Sequence, residues 1–417
     1  MLLTLAPLFR HRELRLLYFG EFASALGSML TVVALPYQVF HLTRSSLAVG
    51  LIGLAQLVPL LLSSLVGGAF ADATDRRKLL LSAELVLLAC AITFALNSLS
   101  PHPQLWLLYL VAAIASAANG FHGPTLQAML PRLVTPEEIL TLGALNSLKG
   151  TASMVAGPAI GGLLIARYGL ATTYWIDALT FLFFLGALLL MRPMPASEPG
   201  QSPSLRSIGE GLRYAAGRQD LIGTYAVDIV AMIFGSPMAL MPEIAEHFGG
   251  AAALGWLYAM PSVGAFLAAV FSGWTHKVTR HGAAIAIAAV IWGVAITAFG
   301  FCTWFPLALF FLTLSGAADM ISGLFRMTIW NTTIPDNIRG RLAGIEMLSY
   351  MSGPLLGNAE SGLVSALVGT QIAIVSGGLL CIAGVYLCVR RLPLFWSYDF
   401  KSATQPDAAT AENANGV

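Results

Sequence analysis

Apolar stretches close to the length of a bilayer crossing recur along this chain from Leu16 to Val389. A hydrocarbon core about 30 Å thick takes roughly 20 apolar residues in helical form. Only helices and closed barrels satisfy their backbone hydrogen bonds inside it. Such runs mean repeated bilayer insertion by helices, and the expected fold is an all-α membrane protein. Composition agrees: 57% of the 417 residues are hydrophobic and 10% charged, with a mean hydropathy of +0.77, against about 25% charged in soluble domains.

The pattern predicts twelve transmembrane helices, at about 16–40, 47–71, 79–98, 104–129, 141–166, 171–191, 220–241, 253–273, 282–301, 305–331, 342–368 and 370–389, with ends good to roughly 2–4 residues. The first run follows Arg10, Arg12 and Arg15 and outlasts the apolar region of a signal peptide, so it reads as a retained helix. Lys and Arg concentrate in cytoplasmic loops. Of the 22 present, only Arg44 and Arg167 fall in the loops opposite the termini, and Lys149 and Arg326 fall inside spans. Both termini are therefore expected in the cytoplasm of a bacterial inner membrane. A net charge of +1 scattered over short loops forms no patch for nucleic acid. Cys90, Cys302, Cys381 and Cys388 lie in or beside apolar runs without a CxxC spacing, so they read as small buried hydrophobes. No metal or cofactor is expected.

The longest polar interruption splits the spans six and six. It predicts an N-terminal bundle over 1–191, a cytoplasmic linker over 192–219 with an amphipathic helix, a C-terminal bundle over 220–391, and a polar tail over 392–417. Leu205, Ile208, Leu212 and Ala216 form the apolar stripe of the linker helix. The halves echo each other. Gly68-Ala-Phe-Ala-Asp72 after span two pairs with Gly273-Trp-Thr-His-Lys277 after span eight, and Gly157-Pro158-Ala-Ile-Gly161 in span five with Gly353-Pro354-Leu-Leu-Gly357 in span eleven. Two pseudo-symmetric six-helix halves explain both matches.

Gly68-Ala-Phe-Ala-Asp72-Ala-Thr-Asp75-Arg76-Arg77-Lys78 resembles the loop signature of the major facilitator superfamily between its second and third helices, departing from it at Ala73 and Asp75. A carboxylate at a cytoplasmic helix end accepts hydrogen bonds from a helix N-terminus or an Arg, so Gly68, Asp72, Asp75, Arg76 and Arg77 are gating candidates, besides serving as topology anchors. Gly150, Gly157, Pro158, Gly161 and Gly162 resemble the superfamily's exporter motif, where small residues permit close helix approach and Pro158 frees a carbonyl for a bend; ordinary helix packing is the alternative. Over about residues 10–395 the chain is similar to the bacterial exporter branch that holds siderophore and multidrug exporters.

Ionisable groups inside spans are functional candidates by default. Glu21, Glu84, Lys149, Asp177, Asp228, Asp319, Arg326, Glu346 and Glu360 qualify. In the superfamily fold the first, fourth, seventh and tenth helices line the central cavity. The resemblance therefore implies Glu21, Asp228, Asp319 and Arg326 as cavity and proton-coupling residues, demotes Glu84 and Asp177 to structural pairs, and offers Asn119 and His122 as substrate contacts. Asp319 and Arg326, two helical turns apart, are expected to share the cavity without touching.

These features predict secondary active export by alternating access: a small molecule enters a midplane cavity, and protons drive the exchange by antiport. Protonating a buried carboxylate removes a charge penalty and biases which state is favoured. The protein is expected to work as a monomer, with substrate, protons and lipid as its partners. The chain lacks a phosphate-binding Gly-x-x-x-x-Gly-Lys-Ser/Thr loop, an HExxH and a Gly-x-Ser-x-Gly, so ATP drive and an integral-membrane enzyme are disfavoured. A non-transporting receptor or assembly subunit with a transporter fold is the alternative.

Overall fold

The computed structural model describes residues 5–194, 213–214, 217–334 and 336–400, and side chains among these except at 65, 68, 69, 71–73 and 336–349. The predicted linker helix, the end of the tail, the loop at 335 and the side chains of Asp72 and Glu346 lie outside the described residues.

The described chain runs α1 (Ala6–Arg10), α2 (Arg12–Thr43), α3 (Ser46–Ala73), α4 (Arg76–Leu99), α5 (Leu105–Met129), α6 (Ile139–Leu190), α7 (Gln219–Phe234), α8 (Met241–Phe248), α9 (Ala251–Val270), α10 (His281–Phe299), α11 (Phe305–Thr333), α12 (Asp336–Val368), α13 (Thr370–Arg391) and α14 (Pro393–Trp396), with short 3₁₀ turns between. No strand occurs among the described residues. Among the described residues ten segments are long and apolar enough to cross a membrane, which makes this a multi-pass membrane protein. One of them, Pro136–Leu190, has 55 residues, about 80 Å of helix and more than twice a hydrocarbon core. It is broken at Gly169, where φ is +83°, a conformation that glycine adopts without a Cβ penalty. The break falls where the sequence places the loop between spans five and six.

Helix ends follow local chemistry. Arg44 ends α2 in the left-handed region, at φ 52°, its N–H bonded to the Phe40 carbonyl. The Ser45 hydroxyl caps α3 through Ala48 N–H. The Asp75 carboxylate caps α4 through the N–H groups of Arg77, at 2.9 Å, and Lys78, at 3.3 Å. The expected span 220–241 is interrupted. Its helix stops at Phe234, and Gly235-Ser236-Pro237 leads through a 3₁₀ turn into the separate α8, because Pro237 has no N–H to continue the ladder.

Two units emerge. The first comprises Met1–Pro203, Pro237–Ser262 and Asn358–Thr370; the second comprises Ser204–Ser236, Val263–Gly357 and Gln371–Val417. In the first, α2 packs along α6, α3 along α5, and α4 against both α5 and α6. Its core gathers Leu14, Leu17, Met129, Leu145, Phe184 and Leu188, all fully buried. Gly162 meets the backbone of Ala251 and Gly255 so closely that a Cβ would lie 2.7 Å from Gly255 Cα. In the second, α10 packs along α11, and Phe395 of α14 is fully buried against Gly223 and Gly282. Exposed Leu62, Leu179, Phe183 and Phe310 stand on outer faces, as expected where lipid is the solvent.

Candidate functional site

In the first unit, α2, α4, α5 and α6 line an open cavity of about 210 Å³, with Glu21, Ser24, Met29, Glu84, Asn119, His122, Gly150 and Ser153 among its walls. Each carboxylate in it faces a nitrogen base. Glu21 ion-pairs with Lys149, which is 6% exposed and sits with its ammonium 5.4 Å from the Tyr18 ring centre. Glu84, fully buried, lies 2.9 Å from His122 Nε2, a contact close in distance but not aligned as a hydrogen bond. The other Glu84 oxygen accepts from the Ser24 hydroxyl at 3.4 Å. The lining thus holds Glu21, Glu84 and His122, with Met29, Met154 and Leu87 as apolar wall. The lining is apolar with a few convergent polar groups, the chemical character of small-molecule sites, at a volume below the usual range of about 300–1,000 Å³.

The expected residues Glu21, Asn119 and His122 all reach this cavity. Glu84, which the superfamily arrangement demotes to a structural pair, lines the cavity too, because the rotation of α4 turns it onto His122. Lys149 was visible as an ionisable group within a span, but its pairing with Glu21 depends on how α2 and α6 face each other, which spacing within one helix does not encode.

In the second unit, Arg326 on α11 ion-pairs with Asp228 on α7 and also reaches Asp319, Nη2 to Oδ1, at 3.7 Å. Asp319 and Arg326 therefore do touch, against expectation, because a guanidinium on its long stem bridges two turns of one helix face. The three groups form one cluster, Asp228 and Arg326 nearly buried and Asp319 about 38% exposed.

Of the loop signature, Asp75 caps α4 as described. Arg77 donates from Nε to the Leu188 carbonyl at 2.7 Å and from Nη2 to the Leu189 carbonyl at 2.8 Å, tying α4 to the carbonyl end of α6. Arg76 is buried, with its N–H on the Met194 carbonyl. Within the glycine-rich motif Gly157 packs against Met29, Gly161 against Leu30 and Gly162 against Gly255, while nothing lies near Gly150. All four cysteines are free. No group of three or more potential ligands could hold a metal among the described residues.

The family described as transmembrane secretion effector matches residues 3–415. The enterobactin exporter EntS of Escherichia coli O1:K1 is 30% identical over 399 residues, covering 94% of this chain and 95% of that protein. The enterobactin exporter EntS of Shigella boydii serotype 18 matches to the same extent, 30% over 399 residues. Among solved structures, a POT family transporter in complex with 5-aminolevulinic acid superposes with a TM-score of 0.75 at 12% identity, covering 92% of this chain and 97% of that one. A bacterial homologue of the iron transporter ferroportin in an inward-facing state gives 0.69 at 14% identity, covering 93% and 99%.

Proposed function

The chain belongs to the transmembrane secretion effector family of the major facilitator superfamily, and from that membership we propose that it is a proton-driven exporter of a small molecule, of siderophore or drug-like type, in the bacterial inner membrane. Similarity to enterobactin exporters over 94% of the chain supports export. The observation that carries the coupling mechanism is Arg326 held between Asp228 and Asp319. With both carboxylates ionised the cluster has one surplus negative charge, and a single proton neutralises it. Desolvating a net charge is costly, so the protonated and deprotonated clusters favour differently hydrated states of the helix bundle. That difference is what alternating access requires of a coupling site. Asp228 and Asp319 are the proton carriers in this reading, and the six-plus-six bundle has twelve crossings, the divided Pro136–Leu190 segment supplying two of them and α12 one.

Inside-out vesicles with an acidified lumen, offered enterobactin as the probe, test the reading. The wild type is expected to accumulate the probe when the pH gradient is imposed and to lose it when the gradient is collapsed. Asp228→Asn and Asp319→Asn are expected to retain exchange of the probe while accumulation falls at least tenfold. Wild-type dependence on the gradient in both variants overturns the assignment of the coupling site. Absence of any gradient-driven flux in the wild type overturns this proton-driven reading with enterobactin as its probe.

A further inference from the structure

The polar tail expected from residue 392 begins with a segment tied down at several points of the second unit. It leaves α13 at Leu392, whose N–H bonds the Cys388 carbonyl at 2.9 Å. α14 then packs on α7 and α10. Its Phe395 is fully buried, in a notch that two glycines leave open. A Cβ on Gly223 of α7 would collide with the Phe395 ring, and a Cβ on Gly282 of α10 with the Phe395 carbonyl. The Leu394 N–H bonds Gln219 Oε1 of α7 at 3.3 Å, and the Tyr398 hydroxyl shares a hydrogen bond with the Thr332 hydroxyl of α11 at 3.1 Å. Beyond them the Phe400 N–H bonds the Thr279 carbonyl at 2.9 Å, and its ring stacks on His281 of α10. The segment 392–400 is therefore a brace that reaches both α7 and α11.

Phe395 meets α7 beside the contacts that join α7 to α11. Gly223 adjoins Thr224, whose hydroxyl accepts from Trp330 Nε1 of α11 at 3.1 Å, with both side chains buried. Tyr225 packs on the same indole, ring centres 4.8 Å apart. Asp228 lies four residues after Thr224, and Arg326 four residues before Trp330. Thr224–Trp330 and Asp228–Arg326 are thus successive rungs, one helical turn apart, across the same two helices. Arg326 also reaches Asp319, at 3.7 Å, so sliding α7 along α11 changes how the guanidinium is shared between the two carboxylates. Misplacing a working group by about 1 Å is enough to cost about a hundredfold in rate.

We propose that Phe395 is a positioning residue of the coupling cluster: its ring in the Gly223 notch fixes α7 along α11, so that Arg326 serves Asp228 and Asp319 together. This rests on the reading of that cluster as the coupling site and adds to it a residue of the C-terminal segment. The Tyr398–Thr332 hydrogen bond holds the same brace on α11.

The full-length protein in lipid vesicles tests this with two readouts, transport of enterobactin and the distance between spin labels at Ile229→Cys and Met327→Cys in a background without the native cysteines. Both label sites are exposed, and each is next in sequence to Asp228 or Arg326. Phe395→Ala is expected to change the label distance by about 1 Å or more, to keep exchange of enterobactin within about twofold of the wild type per inserted molecule, and to lower gradient-driven accumulation by about fivefold or more. Phe395→Leu, which refills most of the notch, is expected to restore both readouts at least halfway. A residue that only adds stability would reduce the amount of folded protein and leave the label distance and the ratio of accumulation to exchange unchanged; that result overturns the proposal. If Phe395→Ala does not insert, Gly223→Ala carries the test, because it directs one methyl group at the ring while favouring the helix. It is expected to change the label distance in the same way, and an unchanged distance overturns the proposal. A wild type without gradient-driven accumulation refutes the proton-driven reading instead. The label distance needs no transport, so it still decides whether Phe395 sets the placement of α7 along α11.

Discussion

Lys149 and Glu21 show what a single residue costs and contributes in this environment. Both are nearly buried, with 6% and 13% of their side chains exposed. Removing one partner of such a pair leaves an unpaired charge, typically about 3–5 kcal/mol destabilising, whereas replacing both by apolar groups of similar volume is close to neutral. Glu21→Met and Lys149→Met are each expected to lower the thermal unfolding midpoint of the purified protein clearly, and the double variant is expected to recover most of the loss. Additive losses in the double variant would mean that the two groups do not act as a pair. At this scale the sequence was informative about which residues matter and mute about their partners. An ionisable group in an apolar run costs energy wherever it points, so Glu21, Asp228, Asp319 and Arg326 were visible among nine such groups, and the superfamily resemblance then singled out these four. That Glu21 meets Lys149 while Glu84 meets His122 depends on the rotation of α2, α4, α5 and α6 about their axes. Asp177 was read as a structural group because the superfamily arrangement sets its span away from the cavity, and its partner Thr31 lies on a helix far away in sequence.

Within one element, α6 carries two glycines of the same motif that the structure treats in opposite ways. Gly157 packs on α2 so tightly that a Cβ would collide with Met29 Cβ, whereas a Cβ on Gly150 meets nothing within 4 Å and would point into open space beside the cavity. Ala in place of Gly gains about 0.8–1 kcal/mol of helix propensity, and forcing atoms into a packed interface costs about 1–3 kcal/mol. Gly150→Ala is therefore expected to leave the unfolding midpoint unchanged or slightly raised. Gly157→Ala is expected to lower it, with a steeper loss for Gly157→Leu. Equal effects at the two positions would reduce the motif to a run of small residues without a specific contact. Small-residue spacing made the close helix approach legible, and Pro237 and Gly169 mark the chain breaks at the places where φ or a missing N–H forces them. What spacing could not supply was the identity of the facing helix. Gly162 serves a contact with Gly255, far along the chain, and Gly157 serves one with Met29.

At the scale of the whole molecule, the repeated apolar runs were enough to establish a helical membrane protein, because the bilayer permits so few alternatives. Boundaries were least legible where a span contains its own break, as after Phe234. Orientation rests on a different physical signal, the distribution of Lys and Arg. Basic residues gather around Arg10, Arg76, Arg132, Arg192, Arg218, Lys277 and Arg390, whereas Arg44 and Arg167 are alone in the loops that the span order sets opposite the termini. The cost of moving basic residues across the inner membrane during insertion sets the topology, so this asymmetry predicts cytoplasmic termini and a cytoplasmic linker. Replacing Cys90, Cys302, Cys381 and Cys388, which are free, gives a background for single reporter cysteines. Placed at Ser202 in the linker and at Gln104, whose backbone N–H is bonded to Asn97 Oδ1 at 2.8 Å in the turn between α4 and α5, the reporters are expected to react with a membrane-impermeant maleimide from opposite faces: Gln104→Cys in intact spheroplasts, Ser202→Cys only in inside-out vesicles. Labelling of both from the same face would contradict the charge rule for this chain.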